Sequence, residues 1–206
     1  MPRDSIRDDS APADPITDAI LSESAYERLR YTEGVITVPV SRVLLYQAVL
    51  LALLATILPL YAFYPPSVGE YVPTLDPFLA TPKLLVLGLV GWVTEVTAAL
   101  LLAGLWWYRR RRGPLTEAQA RTVFDVEQIA AGLSVVTGGL AIVVTVGLVS
   151  LGVFGGSTMA IYLERVAGTN VFAQTTGVSI GHLSVLSVLG CLVVLGIRLA
   201  SGLDSG

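Results

Sequence analysis

Hydrophobic residues in this chain gather into four long runs, which short polar stretches separate. The runs cover residues 43–64, 84–108, 129–154 and 178–200. Each has the roughly 20 residues that a helix needs to cross the hydrocarbon core of a bilayer at about 1.5 Å per residue. Since lipid offers no hydrogen-bond partner to a bare backbone group, such runs must be helical. The pattern predicts an all-α, polytopic membrane protein built as a four-transmembrane-helix bundle.

The composition agrees with lipid as the main solvent. Of 206 residues, 53% are hydrophobic and 14% are charged, which does not suit a water-soluble core. The net charge of −3 is uneven, because half of the acidic residues precede residue 35. No basic surface suggests nucleic acid, so the expected surroundings are the lipid bilayer and other membrane proteins.

The first 41 residues differ in character from the remainder. They are polar, acidic and punctuated by proline, which predicts a short, partly disordered tail at 1–41 and a transmembrane domain at 42–202. Five apolar residues near helical spacing are compatible with one short amphipathic helix in this tail: Ile16, Ile20, Leu21, Ala25 and Leu29. An acidic segment precedes the first apolar run, so we expect no cleaved secretory signal.

The connectors predict where the helices begin and end. Thr116 with Gln119 forms a capping-box pattern, so we expect the third helix to span 116–154 and to project two turns or more from the membrane. The others are expected at about 43–64, 84–108 and 178–200. The proline-rich connector at 64–78 is expected to be extended, whereas 157–170 is compatible with a short interfacial helix.

The arginines predict the orientation. Arg109, Arg110, Arg111 and Arg112 follow the second run, while the two connectors on the other side contain only Lys83 and Arg165 as cations. By the positive-inside tendency, both termini should be cytoplasmic and the protein should lie in the cell membrane. The four arginines are interpreted as a topology signal; binding of anionic lipid headgroups, at about 1 kcal/mol per charge, is the alternative.

Glu95 is the one acid inside the second run. It lies eleven residues from Leu84, or about 16 Å deep at helical rise. An unpaired charge there costs roughly 2.5 to 3.5 kcal/mol even on a lenient scale. Four small residues share its helical face: Gly88, Gly91, Ala98 and Ala99. Because small residues let helices approach closely, we expect Glu95 to point into a helix–helix contact.

Two interpretations of Glu95 remain open. It is either a neutral acid that hydrogen-bonds neighbouring helices, or a proton, ion or substrate site. Counting depth along the other helices gives four expected neighbours: Thr56, Thr145, Ser187 and Cys191. A hydroxyl at this depth can accept from the neutral acid or donate to the carboxylate.

His182 and several small residues are the other candidates. His182 is four residues inside the fourth run, so we expect an interfacial side chain bonded to a loop carbonyl, with a water-linked relay to Glu95 as the alternative. Small residues on the third and fourth helices predict tight packing seams: Gly138, Gly139, Gly147, Gly152, Gly181, Ser184, Ser187 and Gly190. Pro59 is expected to bend the first helix.

The chemistry available to the chain is narrow. One histidine and one cysteine, without an HExxH pattern, do not make an ordinary metal or haem site, and no GxSxG pattern accompanies Ser184. We therefore expect no cofactor and a non-enzymatic role as a scaffold or accessory subunit of a larger membrane complex or homo-oligomer. The alternative is a small proton-coupled transporter or channel-like protein in which Glu95 binds the proton.

Overall fold

The computed structural model describes residues 38–112, 115–166, 170–175 and 177–201. The expectations for the acidic tail, including its amphipathic helix, concern residues outside these ranges except at 38–41.

Four apolar helices, each long enough to cross a membrane, make up the fold. The first span joins α1 (Val40–Ala55) to α2 (Ile57–Ala62), and the second is α3 (Leu85–Arg112). The third joins α4 (Glu117–Leu133), a π-helical segment (Ser134–Gly138) and α5 (Gly139–Val153). A connector helix, α6 (Gly156–Arg165), precedes the fourth span, α7 (Ile180–Ser201). The predicted all-α, four-helix membrane fold is confirmed, and large apolar side chains face outward along all four spans, as lipid requires.

The second span extends four residues beyond its predicted end at residue 108. In its last turn the guanidinium carbons of Arg110, Arg111 and Arg112 lie 5.2, 4.3 and 5.2 Å from the ring centroids of the aromatic residues four positions earlier. Such cation–π contacts depend on helical spacing, and cations at a helix C-terminus also complement its dipole. The four arginines therefore continue the helix. They form one end of the bundle, here called the arginine side.

The predicted start of the third span is confirmed. Thr116 accepts from the Gln119 backbone N–H, and the Gln119 side chain accepts from the Thr116 N–H, which completes the capping box.

In the connectors on the opposite side, the prediction of an extended segment is wrong. Residues 64–78 are not extended, because Pro66–Glu70 forms a 3-10 helix that begins with proline at a first-turn position. Further along, the Asp76 carboxylate accepts from the Phe78 N–H at 2.8 Å, which closes a turn. The helix expected within 157–170 is confirmed by α6.

Pro59 has a visible consequence in the first span. Since proline lacks an N–H, the Ala55 carbonyl four residues earlier loses its intrahelical donor, and the helix is interrupted at Thr56. The Ser184 hydroxyl on α7 donates to this carbonyl at 2.6 Å. Ser184, a residue of the predicted seam on α7, thus supplies the hydrogen bond that the interrupted first span lacks.

Replacing Ser184 with alanine should therefore destabilise the bundle by about 0.6 kcal/mol, the measured average for hydrogen bonds between membrane helices, and by at most about 1.7 kcal/mol. In a Pro59→Ala background the backbone N–H returns, so the same change should cost less. Unfolding free energies of the four variants in mixed micelles check this. Equal costs in both backgrounds would contradict the pairing.

Candidate functional site

A polar layer crosses the interior of the bundle. It consists of Gln47 on α1, Glu95 on α3 and Ser134 at the start of the π-helical segment, each 0% exposed. The Ser134 hydroxyl donates to Glu95 Oε2 at 2.5 Å, and Gln47 Nε2 donates to Ser134 Oγ at 3.1 Å. Three spans are thereby joined by one short chain of hydrogen bonds.

Two hydrophobic clusters enclose this layer. On the arginine side lie Leu44, Leu102 and Ala131 with their neighbours. On the opposite side lie Leu54 and Ile142 within a larger cluster. In such an apolar environment a hydrogen bond is electrostatically stronger than in water, and leaving a polar atom unpaired costs more free energy.

Glycines allow the second and third spans to approach closely at the layer. A Cβ at Gly138 would lie 2.5 Å from Glu95 Oε1, and one at Gly91 would lie 2.8 Å from Cγ1 of Ile142. Gly88, Ala98 and the carboxyl itself are also buried. The prediction that Glu95 points into a close helix contact is confirmed.

The layer coincides with an irregularity in the helix. Ser134 and Gly138 bound the π-helical segment, and both are buried. Single π turns inside α-helices are found frequently at functional sites. The local geometry therefore marks the same place as the buried carboxyl.

None of the four expected neighbours supplies the hydrogen bond to Glu95. The Thr145 and Ser187 hydroxyls donate to carbonyls of their own helices, at Ala141 and Leu183, both at 2.7 Å. Thr56 is likewise bonded within its helix, to the Leu53 carbonyl at 2.6 Å. Cys191 is partly buried on α7.

The depth count failed for a geometric reason. It took similar residue counts from the outer end of each apolar run as equal depth, yet Gln47 lies only seven residues into α1, near the arginine side, and Ser134 lies near the start of its run. In the first span, the layer lies between the middle of the helix and its end on the arginine side. Ser134 and Gln47 were missed for this reason.

His182 is separate from the layer. Its ring is exposed at the start of α7, where Nδ1 lies 2.7 Å from the Ser179 hydroxyl. The Phe78 ring packs edge-on at a centroid distance of 6.4 Å. The ring is therefore held by a hydroxyl and not by the loop carbonyl that we expected.

The predicted packing seams are present, with one exception. A Cβ at Gly181 would meet the Phe78 ring, and one at Gly190 would lie 2.9 Å from Nε1 of Trp92. Gly147 belongs to no seam among the described residues, none of which lies within 4 Å of its Cβ position. A small residue in an apolar run is therefore not by itself a contact.

A second acidic side chain, Glu127, is also buried. Glu127 is 8% exposed and lies seven residues before Ser134, on the same helical face. It lies two residues before the third apolar run, which begins at residue 129.

Within the described ranges, no three histidine, cysteine or acidic side chains gather in a way that could hold a metal ion. No known family model, curated protein or solved structure matches the chain. Fold and site together define a four-helix membrane protein with a buried Gln–Ser–Glu layer.

Proposed function

We propose that the protein is a non-enzymatic subunit of a larger membrane complex, for which it provides a rigid docking arm. In this proposal it lies in the cell membrane with its arginine side and both termini in the cytoplasm. One observation carries the proposal: the second and third spans continue on the arginine side as a helical hairpin with a hydrophobic cluster of its own.

The hairpin extends beyond the bilayer because the third span, which forms one of its two helices, is longer than the hydrocarbon core is thick. The third span has 37 residues, or about 55 Å at helical rise, against a hydrocarbon core of about 30 Å. Near its start, Ala120, Val123 and Phe124 are buried against Leu105 and Tyr108 of α3. Because this packing joins the two helices, the arm holds one shape beyond the membrane.

The outer face of the arm suits a protein partner. Glu117, Thr122 and Asp125 are exposed on α4, while Arg111 and Arg112 are exposed at the end of α3. Both signs of charge on a rigid surface provide electrostatic selectivity for one partner over others. An anionic lipid surface would be complementary to the arginines alone.

The interior favours this proposal over a carrier. The Glu95 layer is packed by glycines and enclosed by two hydrophobic clusters, whereas a carrier must expose its site to each side of the membrane in turn. Tight packing of this kind suits a scaffold.

The experiment is extraction of the tagged protein from its own membranes in mild detergent, followed by native mass spectrometry. We expect an assembly larger than the monomer. The double substitution Glu117→Lys with Asp125→Lys should release the partner, because it reverses two charges on the exposed face of α4. Glu70→Lys, an exposed acid on the opposite side, is the matched control and should leave the assembly intact. A wild-type protein that is always monomeric would refute the proposal.

A further inference from the structure

The hydrogen bonds of the polar layer leave two buried oxygens without partners. Within the described part of the chain, neither Glu95 Oε1 nor Gln47 Oε1 has a hydrogen-bond donor. With Glu95 ionised, the arrangement is Gln47 N–H to Ser134 Oγ, then Ser134 O–H to Glu95 Oε2. The carboxylate accepts one hydrogen bond, from the Ser134 hydroxyl, which itself accepts one from the Gln47 amide.

The same heavy-atom positions also fit a neutral Glu95. An acid O–H on Oε2 would donate to Ser134 Oγ, and the Ser134 hydroxyl would donate onward to Gln47. This requires only that the Gln47 amide turn over, which places its oxygen where its nitrogen now lies. Amide oxygen and nitrogen occupy nearly equivalent positions, and a hydroxyl rotates freely between donor directions.

We propose that Gln47, Ser134 and Glu95 form a reversible proton-binding site with two hydrogen-bond directions. When a proton from water binds, an O–H bond forms on Glu95 Oε2, the Ser134 hydroxyl reverses and the Gln47 amide flips. When it leaves, the proton returns to water and the original direction is restored. A purely structural acid needs one arrangement, whereas this chain of groups supports both.

No neighbouring ionisable group in the described part of the chain shares the proton with Glu95 through a direct hydrogen bond. On the helices packed around it, the ionisable side chains are Arg42 and Tyr46 on α1, Glu117, Arg121, Asp125 and Glu127 on α4, and His182, Cys191 and Arg198 on α7. None of them hydrogen-bonds to the carboxyl, whose donor is Ser134. Beside the layer, a groove of about 500 Å³ opens between the first and third spans. Tyr46 and Val135, the chain neighbours of Gln47 and Ser134, line it, so a hydrophobic reagent in the lipid can come close to the site.

Infrared difference spectroscopy on the full chain in liposomes tests the proposal. Subtracting the spectrum of Glu95→Gln isolates one carboxyl group. We expect the carbonyl stretch of a protonated acid in mildly acidic buffer and its replacement by carboxylate bands in mildly alkaline buffer. Ser134→Ala should move the acid band, because the hydroxyl that accepts the hydrogen bond from the Glu95 O–H is gone. Thr145→Val, which removes another buried hydroxyl, should not.

A hydrophobic carbodiimide gives an independent measurement, because it forms a stable acylurea with a protonated carboxyl and not with a carboxylate. Labelling of Glu95, located by peptide mass spectrometry, should be several-fold faster in the acidic buffer. An acid band that is constant across pH, its absence throughout, or no effect of Ser134→Ala would each overturn the proposal. Slower labelling when sodium replaces choline at constant pH would contradict the proton as the ligand and indicate a monovalent cation.

Discussion

Gly138→Ala is expected to destabilise the bundle by about 1 to 3 kcal/mol, the usual cost of overpacking a close contact. The new Cβ would lie 2.5 Å from Glu95 Oε1 and 3.0 Å from its carboxyl carbon. Glu95 has little room to move, since its other oxygen is bonded to Ser134 and the side chain is fully buried. In an open helix the same substitution stabilises by about 0.8 to 1 kcal/mol, so the contact should reverse the sign.

Gly147→Ala is the matched control in the same span. In the part of the chain that the structure describes, no atom lies within 4 Å of its Cβ position, so the alanine should be neutral or slightly stabilising. The measurement is the unfolding free energy in mixed micelles, supported by the temperature at which the monodisperse peak is lost. In the background Glu95→Ser, which shortens the side chain, Gly138→Ala should cost much less. Equal effects of the two alanines would show that Glu95 does not pack on Gly138.

The sequence predicts the fold well because a membrane restricts the choices. Four apolar runs must be helices, and their lengths leave little freedom in where each one crosses. The environment of Glu95 was predictable for a related reason. Small residues at Gly88, Gly91, Ala98 and Ala99 share its face, and a helix places such residues in one stripe.

The partners of Glu95 were not predictable from the sequence. Hydroxyl residues are common in these runs, and most of them bond to their own helix, as Thr145 and Ser187 do. Ser134 differs because it lies in a π-helical segment whose sequence, SVVTG, carries no residue type that demands this geometry. Gln47 lies near the start of its run, where a polar side chain is ordinary. Identifying Ser134 and Gln47 as the partners requires knowing how far the helices are shifted along their axes relative to one another. This shift depends on tertiary packing.

The early end predicted for the second span shows the same limit. Four consecutive arginines are typical of the boundary of a membrane helix. Their stacking on Trp106, Trp107 and Tyr108 is a property of the helix that continues through them. Hydropathy marks where the lipid ends, whereas the helix ends where its backbone and side-chain contacts end.

Glu95→Lys is expected to prevent stable folding, whereas Glu95→Gln should cost about 1 kcal/mol or less. A glutamine is nearly isosteric and can accept from Ser134, so it preserves the layer. A lysine places a cation in a fully buried position, at a cost of roughly 2.5 to 3.5 kcal/mol on insertion scales. The amine cannot escape along the helix, since Glu95 is ten residues, or about 15 Å, from the start of α3.

Gly104→Lys separates the effect of position from that of charge. Gly104 is exposed on the same helix, nine residues nearer the arginine side, and none of the residues that the structure describes lies within 4 Å of its Cβ position. A lysine there can extend its stem along apolar surface and keep its charge at the interface. We expect Gly104→Lys to accumulate as a monodisperse protein and Glu95→Lys to be lost. If Glu95→Lys were as stable as Glu95→Gln, the polar layer would have to be hydrated, and the packed interior on which both the scaffold and the proton site depend would be wrong.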